Sequence, residues 1–166
     1  MPSSTSAEVA ESLVVNAGPL IALARSGALD VVGRLPINYV CPLQVRTELD
    51  EGTRSGYVDI RVPWLGVVPL TTPLDSVAMA TLDAGEAAVI QLARERSIDW
   101  VCIDDRKGRR AALAVGLRVT GSLGLLVRAK IVGLVPAIRP FIERAMTEGV
   151  WYDPDLTHRV LTDLGE

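Results

Sequence analysis

The sequence has little of what several large classes of enzyme need. Its 166 residues include one histidine, His158, and two cysteines, Cys41 and Cys102. A Ser-His-Asp or Cys-His mechanism would have to use His158, which lies in an amphipathic C-terminal segment, so we exclude that class. The cysteines lie in separate apolar segments, INYVCP and DWVCID, without close Cys or His partners. We therefore expect two buried thiols in a reducing compartment and no metal site built on them.

Long apolar runs and a surplus of basic residues are absent as well. No run approaches the roughly 20 residues of a membrane helix, which excludes a spanning protein. The segment LVVNAGPLIALA is preceded by Glu8 and Glu11 rather than by Lys or Arg, so we expect a cytoplasmic protein without a secretory leader. The net charge of −3 excludes the wholesale basic surface of a non-specific duplex-DNA-binding protein. Any contact with nucleic acid must come from a local patch.

What is present indicates one folded domain. Hydrophobic residues make up 49% of the chain and charged residues 22%, which is enough apolar material for a buried core. Residues 1–11 are rich in Ser, Ala and Glu and are predicted to be a flexible tail, and residues 12–166 a single domain. Short apolar strands are predicted at 13–15, 37–41, 100–103 and 117–120, with two more (DIRV and GVVPL) between 57 and 70. Helices are predicted between them, most strongly at 83–96. Alternating strands and helices favour an α/β sandwich with a largely parallel sheet.

Oxygen-bearing side chains follow two of these predicted strands. Asn16 follows the first strand, and Asp104 and Asp105 follow the strand WVCI. In parallel α/β sheets, ligands bind outside the carboxyl ends of the strands, so this is where we expect chemistry. Each of these residues also fits an ordinary role: Asn16 a turn before Gly-Pro, and the Asp pair a turn followed by a helix N-cap.

Three further carboxylates lie on predicted helices. Glu48 borders the buried stripe of a helix at 42–50, and Asp83 and Glu86 share a face with the apolar Ile90. A carboxylate on such a face is costly unless it meets a cation, a donor or water. The pattern Asp83-x-x-Glu86 is also typical of a capping box at a helix start, and Glu48 also fits a solvated helix residue. Their common placement in one α/β layer favours a functional site.

The chemistry of such a site would be that of a hard cation. Clustered carboxylates repel one another unless a cation lies among them, and Mg²⁺ or Mn²⁺ prefers oxygen ligands. A metal-bound water can attack a phosphodiester while the metal stabilises the developing charge. Directly after the Asp pair lies the densest basic stretch of the chain, with Arg106, Lys107, Arg109 and Arg110. It fits a phosphate clamp, and it also fits the exposed face of a helix.

Beyond the tail, the sequence resembles PIN-domain proteins. VVNAGPLIALARSGALDVV is similar to the opening strand and helix of that family, where an Asp usually stands at the position of Asn16. LDAGEAAVIQLA and CIDDRKGRRAALAVGLRVTGSLGLLVRAKIVGLV closely resemble a PIN-like branch of predicted nucleic-acid-binding proteins, with its DAGE, DDR and RVTG-x-LG segments. The resemblance implies a three-layer α/β/α sandwich with a central, mostly parallel sheet.

The resemblance also implies a function and a set of residues. It implies a Mg²⁺- or Mn²⁺-dependent endoribonuclease for single-stranded RNA, commonly the VapC-type toxin of a toxin–antitoxin pair, and commonly a dimer. The implied partners are RNA, a cognate antitoxin and a second copy of the chain, without a membrane. By this resemblance, the catalytic and metal-binding residues would be Asn16, Glu48, Glu86 and Asp105. Asp104 would bind the metal or orient water, and Asp83 would contact the metal ligands. The residues that bind nucleic acid would be Arg106, Lys107, Arg109 and Arg110.

Two other functions remain in competition with the nuclease. Asn16 removes one negative charge, so the chain could instead be a catalytically weak or inactive nucleic-acid-binding module. A phosphoryl-accepting receiver domain is disfavoured because it needs an acidic pair near the end of the first strand.

The closing segments RPFIERAM and PDLTHRVLTDL are amphipathic, and Trp64 and Trp151 stand in polar or Pro-rich contexts. These features fit core packing, a homodimer seam or an antitoxin groove.

Overall fold

Parallel strands form one central sheet in the structure, a computed structural model that describes residues 10–166. The five strands of this part of the chain stand in the order β3-β2-β1-β4-β5, and every neighbouring pair is parallel. Since β1 lies between β2 and β4, the chain starts in the middle of the sheet and builds outward in both directions. This reversal makes the carboxyl ends of β1 and β4 the expected ligand-binding edge. The strands are β1 (Glu11–Val15), β2 (Ile37–Pro42), β3 (Leu65–Val68), β4 (Trp100–Cys102) and β5 (Arg118–Thr120).

Helices cover the sheet in two layers. Helix α5 lies across β1, β2 and β4 and contacts α3 and α6, whereas α1 packs with α2, α7 and α8. The predicted α/β/α sandwich is confirmed, and the described residues contain no helix long and apolar enough to cross a membrane. The helices are α1 (Ala17–Ser26), α2 (Leu29–Gly33), α3 (Leu43–Arg54), α4 (Ser76–Met79), α5 (Ala84–Glu95), α6 (Arg106–Ala114), α7 (Ser122–Ile131), α8 (Arg139–Thr147) and α9 (Pro154–Asp163).

The core lies on both sides of β1 and around α5. Leu13, Val14 and Val15 are all buried, as expected for a central strand that is covered on both faces. Residues 85–90 of helix α5 are all buried because the helix lies between the sheet and helices α3, α4 and α6. Glu86 therefore lies on one of the most buried helices and is only 6% exposed.

One of the two strand predictions between residues 57 and 70 is wrong. The segment DIRV forms no strand, whereas GVVPL largely corresponds to β3. The Ile60 side chain is buried, and the Ile60 carbonyl accepts a 2.7 Å hydrogen bond from Nη1 of Arg46 on α3. The Arg46 side chain, rather than a neighbouring strand, therefore holds this segment. The alternation of apolar residues cannot distinguish such a segment from a strand.

The structure also tests the predictions for the N-terminal tail, the two cysteines and two of the tryptophans. Most of the predicted tail, residues 1–9, lies outside the described residues, and Glu11 belongs to β1 rather than to a tail. Both cysteines are buried free thiols, as predicted. Trp64 is partly buried and packs on Tyr39 with ring centroids 4.7 Å apart, whereas Trp151 is 73% exposed. Core packing therefore accounts for Trp64 but not for Trp151.

Candidate active site

The carboxyl ends of β1 and β4 are held side by side by Asn16. Its backbone N–H donates a 3.0 Å hydrogen bond to the carbonyl of Cys102. The side chain is 7% exposed and makes no capping hydrogen bond to α1, although Asn16 is the N-cap of that helix. Its Oδ1 is buried and has no hydrogen-bond partner within residues 10–166. An unpaired buried acceptor is costly, so its presence at this edge of the sheet requires an explanation.

Carboxylate oxygens surround this unpaired oxygen at the start of α5. A methyl group placed on Gly85 would lie 2.8 Å from Oε2 of Glu48, 3.3 Å from Oδ1 of Asn16 and 3.4 Å from Oδ1 of Asp83. Three oxygens from three separate elements thus converge on a space that exists because residue 85 has no side chain. All three are acceptors, and within the described residues only Oδ1 of Asp83 has a donor, the Glu86 backbone N–H, so a cation would relieve the repulsion among them.

Asp83 and Glu86 form the capping box of α5. Oδ1 of Asp83 accepts a 2.8 Å hydrogen bond from the Glu86 backbone, and Oε2 of Glu86 accepts a 3.2 Å bond from the Asp83 backbone. The helix-start interpretation of this pattern is therefore correct. It leaves one oxygen of each carboxylate uncommitted, so the capping role and a role in the site are compatible.

The second oxygen of Glu86 faces the start of α6. A methyl on Gly108 would lie 3.4 Å from Oε1 of Glu86, and the Gly108 N–H donates a 2.9 Å hydrogen bond to Oδ2 of Asp105, the N-cap of α6. Burial, reinforced by the neighbouring carboxylates Asp83 and Asp105, raises the pKa of Glu86 to about 7. The Gly108 N–H holds the pKa of Asp105 below its usual value, so Glu86 rather than Asp105 holds a proton.

Glu48 reaches the site from α3. Val45 and Leu49 of this helix are buried against the core, and Glu48 lies at the edge of that face with an exposed side chain. Partial burial, together with the negative charges of Asp83 and Glu51, raises the pKa of Glu48. The expected position at the border of the buried stripe is the one that the structure shows.

Asp104 does not join this group. Its Oδ1 accepts a 2.7 Å hydrogen bond from the backbone of Ser122, and its Oδ2 accepts one of 2.7 Å from the Ser122 hydroxyl, which is 2.8 Å from the Tyr152 hydroxyl. Burial raises the pKa of Asp104, opposed by these bonds and by Arg109. We therefore assign Asp104 to holding the start of α7. Ser122 and Tyr152 were not identified from the sequence as partners of Asp104. Gly121 could have indicated this contact, because an N-cap residue without a side chain leaves the start of α7 to be capped by another residue.

The basic residues of α6 divide into two kinds. Arg106, Lys107 and Arg110 are exposed and lie in the first half of α6, the helix that Asp105 caps. Arg109 is half-buried, and its Nη1 donates a 2.8 Å hydrogen bond to the carbonyl of Ile103 at the end of the β4 segment. Arg109 is thus partly committed to the fold, whereas the other three present charge to solvent.

The residues fit a hard cation, although side-chain acids alone do not form a complete site. Nowhere in residues 10–166 do three Asp, Glu, His or Cys side chains come together as a metal-binding group. The acids instead form two adjacent sets, Glu48 with Asp83 at Gly85 and Glu86 with Asp105 at Gly108, joined by the capping box. The unpaired Oδ1 of Asn16 adds a neutral oxygen, which is a donor that Mg²⁺ and Mn²⁺ accept.

Comparison with known proteins agrees with this architecture. The family model DUF3368, described as a PIN domain, matches residues 12–166. No curated protein and no solved structure matches the chain. The match spans all of the sheet except Glu11, and every residue that surrounds Gly85 and Gly108.

Proposed function

The chain belongs to the PIN-domain family, and from this premise we propose that it is a divalent-metal-dependent endonuclease that cuts single-stranded RNA. The family supports a nuclease-type fold that binds nucleic acid. The observation that carries the proposal further is the buried, unpaired Oδ1 of Asn16 among the carboxylate oxygens of Glu48 and Asp83. Of these oxygens, Oδ1 of Asp83 already accepts a hydrogen bond from the Glu86 backbone, and a cation would supply the partner that Oδ1 of Asn16 lacks.

We propose that Asn16, Glu48, Glu86 and Asp105 hold the cation, Mg²⁺ or Mn²⁺, with Asp83 supporting Glu86 through the capping box. Because no three acids of the described residues converge on one point, part of this set would bind the ion through water molecules, which Mg²⁺ usually keeps. When bound, the ion lowers the pKa of a water molecule and stabilises the negative charge that develops on the phosphate. The donor set is made only of oxygen atoms, which suits these ions better than zinc or copper.

Protonation of Glu86 controls ion binding, and the basic residues of α6 supply phosphate binding. In the absence of the ion, burial raises the pKa of Glu86 to about 7, so Glu86 would have to lose this proton to hold the ion, and ion binding should strengthen as pH rises through neutrality. Asp105 stays ionised because the Gly108 N–H stabilises its charge. Arg106, Lys107 and Arg110 are exposed in the first half of α6 and would hold phosphates, while Arg109 orients the end of the β4 segment.

The first test of the nuclease is Asp105→Asn. Asparagine remains a good N-cap, so α6 and the fold should be retained, while cleavage of a fluorescent single-stranded RNA with Mn²⁺ should fall about 100-fold or more. Asp163→Asn at the exposed end of α9 is the matched control and should cut like the wild type. An Asp105→Asn variant that is as active as the wild type would falsify the proposal.

A second candidate is a module that binds RNA without cutting it. Two observations favour it: Asn16 contributes no charge, and no three acids within the described part of the chain form a metal group. On this hypothesis the wild type binds single-stranded RNA but shows no cleavage with any divalent ion. Asn16→Asp, which supplies the missing charge, would then create cleavage where the wild type has none.

We further propose that the protein acts as the toxin of a toxin–antitoxin pair and forms a homodimer. Support comes from the family resemblance and from apolar side chains around the closing helices that remain exposed: Met146 on α8, Leu156 on α9 and Trp151 between them. Light scattering of the purified chain tests the dimer, and its co-purification with the product of a neighbouring gene tests the antitoxin.

A further inference from the structure

A groove of about 560 Å³ opens next to the acids, between one face of α3 and the first turn of α5. The positions from α3 are spaced so that they share one helix face, opposite the buried Val45 and Leu49. Glu48, Asp83 and Gly85 belong both to this groove and to the oxygen cluster, so the two spaces are continuous. The lining residues are Leu43, Gln44, Thr47, Glu48, Glu51, Asp83, Ala84 and Gly85.

The α3 wall of the groove is rich in hydrogen-bond acceptors. Glu48 and Glu51 supply carboxylates to this wall, and Gln44 lines it as well. Among the described residues that line the groove there is no Lys or Arg. A phosphate would be repelled here, so the groove favours a neutral group that carries several N–H donors.

The α5 wall offers the opposite polarity. The first N–H groups of a helix have no partner within the helix, and the capping box satisfies those of Asp83 and Glu86. The N–H groups of Ala84 and Gly85 remain for a ligand that accepts hydrogen bonds. Leu43, which is 52% exposed, adds an apolar surface at the rim. The groove thus presents acceptors on one side, donors on the other and an apolar contact for a flat ring.

We infer that this groove binds a nucleobase of the RNA close to the bond that is cut, that it selects guanine, and that Glu51 determines this selectivity. The inference rests on the proposed function. Guanine carries N1–H and N2–H₂ side by side, which match one carboxylate, while O6 and N7 accept from the α5 turn. Uracil would instead turn carbonyl oxygens toward the acidic wall.

The position of the groove suits this role. Helix α3 follows β2, and α6 with its exposed basic residues follows β4, with β1 and Asn16 between them. The oxygen cluster therefore lies between a basic surface that binds phosphates and an acidic groove that binds a base. RNA that crosses the site would place its backbone on α6 and one base against α3.

The test uses two fluorescent, uridine-rich single-stranded RNAs that differ in one base, guanosine or inosine, which lacks the N2 amino group. Binding is measured by anisotropy with EDTA, so that nothing is cut. The wild type should bind the guanosine RNA about ten-fold more tightly, and Glu51→Gln should lose most of this ratio. Glu143→Gln on the exposed face of α8 is the matched control and should retain it.

Equal affinity of the wild type for the two RNAs, or an unchanged ratio in Glu51→Gln, overturns the inference. A parallel cleavage assay keeps the two proposals apart. If the wild type discriminates guanosine from inosine but cuts no RNA with any divalent ion, the groove stands and the nuclease fails. If it cuts RNA but does not discriminate, the nuclease stands and the groove assignment is wrong.

Discussion

At the scale of single residues, Asn16 controls the charge of the oxygen cluster. Its Oδ1 is a buried acceptor next to Glu48 and Asp83, so in the proposed site it would contribute a ligand atom without adding a negative charge. The neutral amide reduces repulsion when no cation is bound, and it also lowers the affinity for one, since ligand charge raises the affinity for hard cations. A weak but genuine cation site is the consequence that we expect.

Glu86 makes the stability of the protein depend on pH. The pKa of a carboxyl group raised from 4.5 to about 7 means that the native state keeps its proton longer than the unfolded state. Without a divalent cation, the free energy of unfolding should therefore fall as pH rises through that window. Glu86→Gln keeps the capping-box acceptor but cannot titrate. Urea titrations at about pH 5 and pH 8 should show the wild type losing more stability than the variant.

A different pH dependence of stability would contradict the raised pKa of Glu86. If the wild type and Glu86→Gln change in parallel between the two pH values, then burial beside Asp105 does not hold the proton on Glu86. The proposed control of ion binding by the protonation of this residue would then lose its basis.

At the scale of elements, the first turn of α5 shapes the site through Gly85. This helical position tolerates alanine in its backbone, but the added methyl would lie 2.8 Å from Oε2 of Glu48, the mobile end of a long side chain. Gly85→Ala should therefore displace Glu48 while the fold stays intact. We expect Mn²⁺ affinity to fall about ten-fold, measured by calorimetry.

Gly18→Ala is the matched control, because Gly18 occupies the same second position of α1 and nothing lies within 4 Å of the added methyl. It should stabilise the protein by about 0.5–1 kcal/mol and leave Mn²⁺ affinity unchanged. Equal Mn²⁺ affinities of the two variants would show that the space over Gly85 has no part in the site.

How much of the site is readable from sequence also depends on elements. The placement of Asn16 and Asp105 was predictable because Asn16 directly follows β1 and Asp105 comes three residues after the end of β4. The placement of Glu86 was predictable because it lies on the apolar face of a strongly helical segment. Strand order was not readable, since it depends on long-range pairing, yet it is what brings Asn16 to the end of β4. The hydrogen bond from the Ser122 hydroxyl to Asp104 joins residues 18 positions apart in the sequence, and no local sequence pattern predicts it.

At the scale of the whole molecule, charge is distributed unevenly around the site. The chain is net acidic, yet Arg106, Lys107 and Arg110 are exposed immediately after Asp105. Replacing all three by Gln should weaken binding of single-stranded RNA and reduce the slope of log affinity against log salt by about 2. Fluorescence anisotropy at several salt concentrations measures both quantities.

A triple Gln variant at Arg34, Arg54 and Arg96 removes the same charge from exposed positions near the opposite end of the sheet. It should leave the affinity for RNA and its salt dependence close to those of the wild type. If both triple variants lose affinity equally, binding comes from general attraction rather than from the α6 surface.

A calorimetric Mn²⁺ titration of the wild type, Glu86→Gln and Asn16→Asp tests the proposed cation site. We expect the wild type to bind one ion, Glu86→Gln to lose most of the affinity, and Asn16→Asp to bind about ten-fold more tightly. If the wild type binds no ion and only Asn16→Asp does, the claim of a cation site in this chain is contradicted, and binding without cleavage becomes the better account of its function.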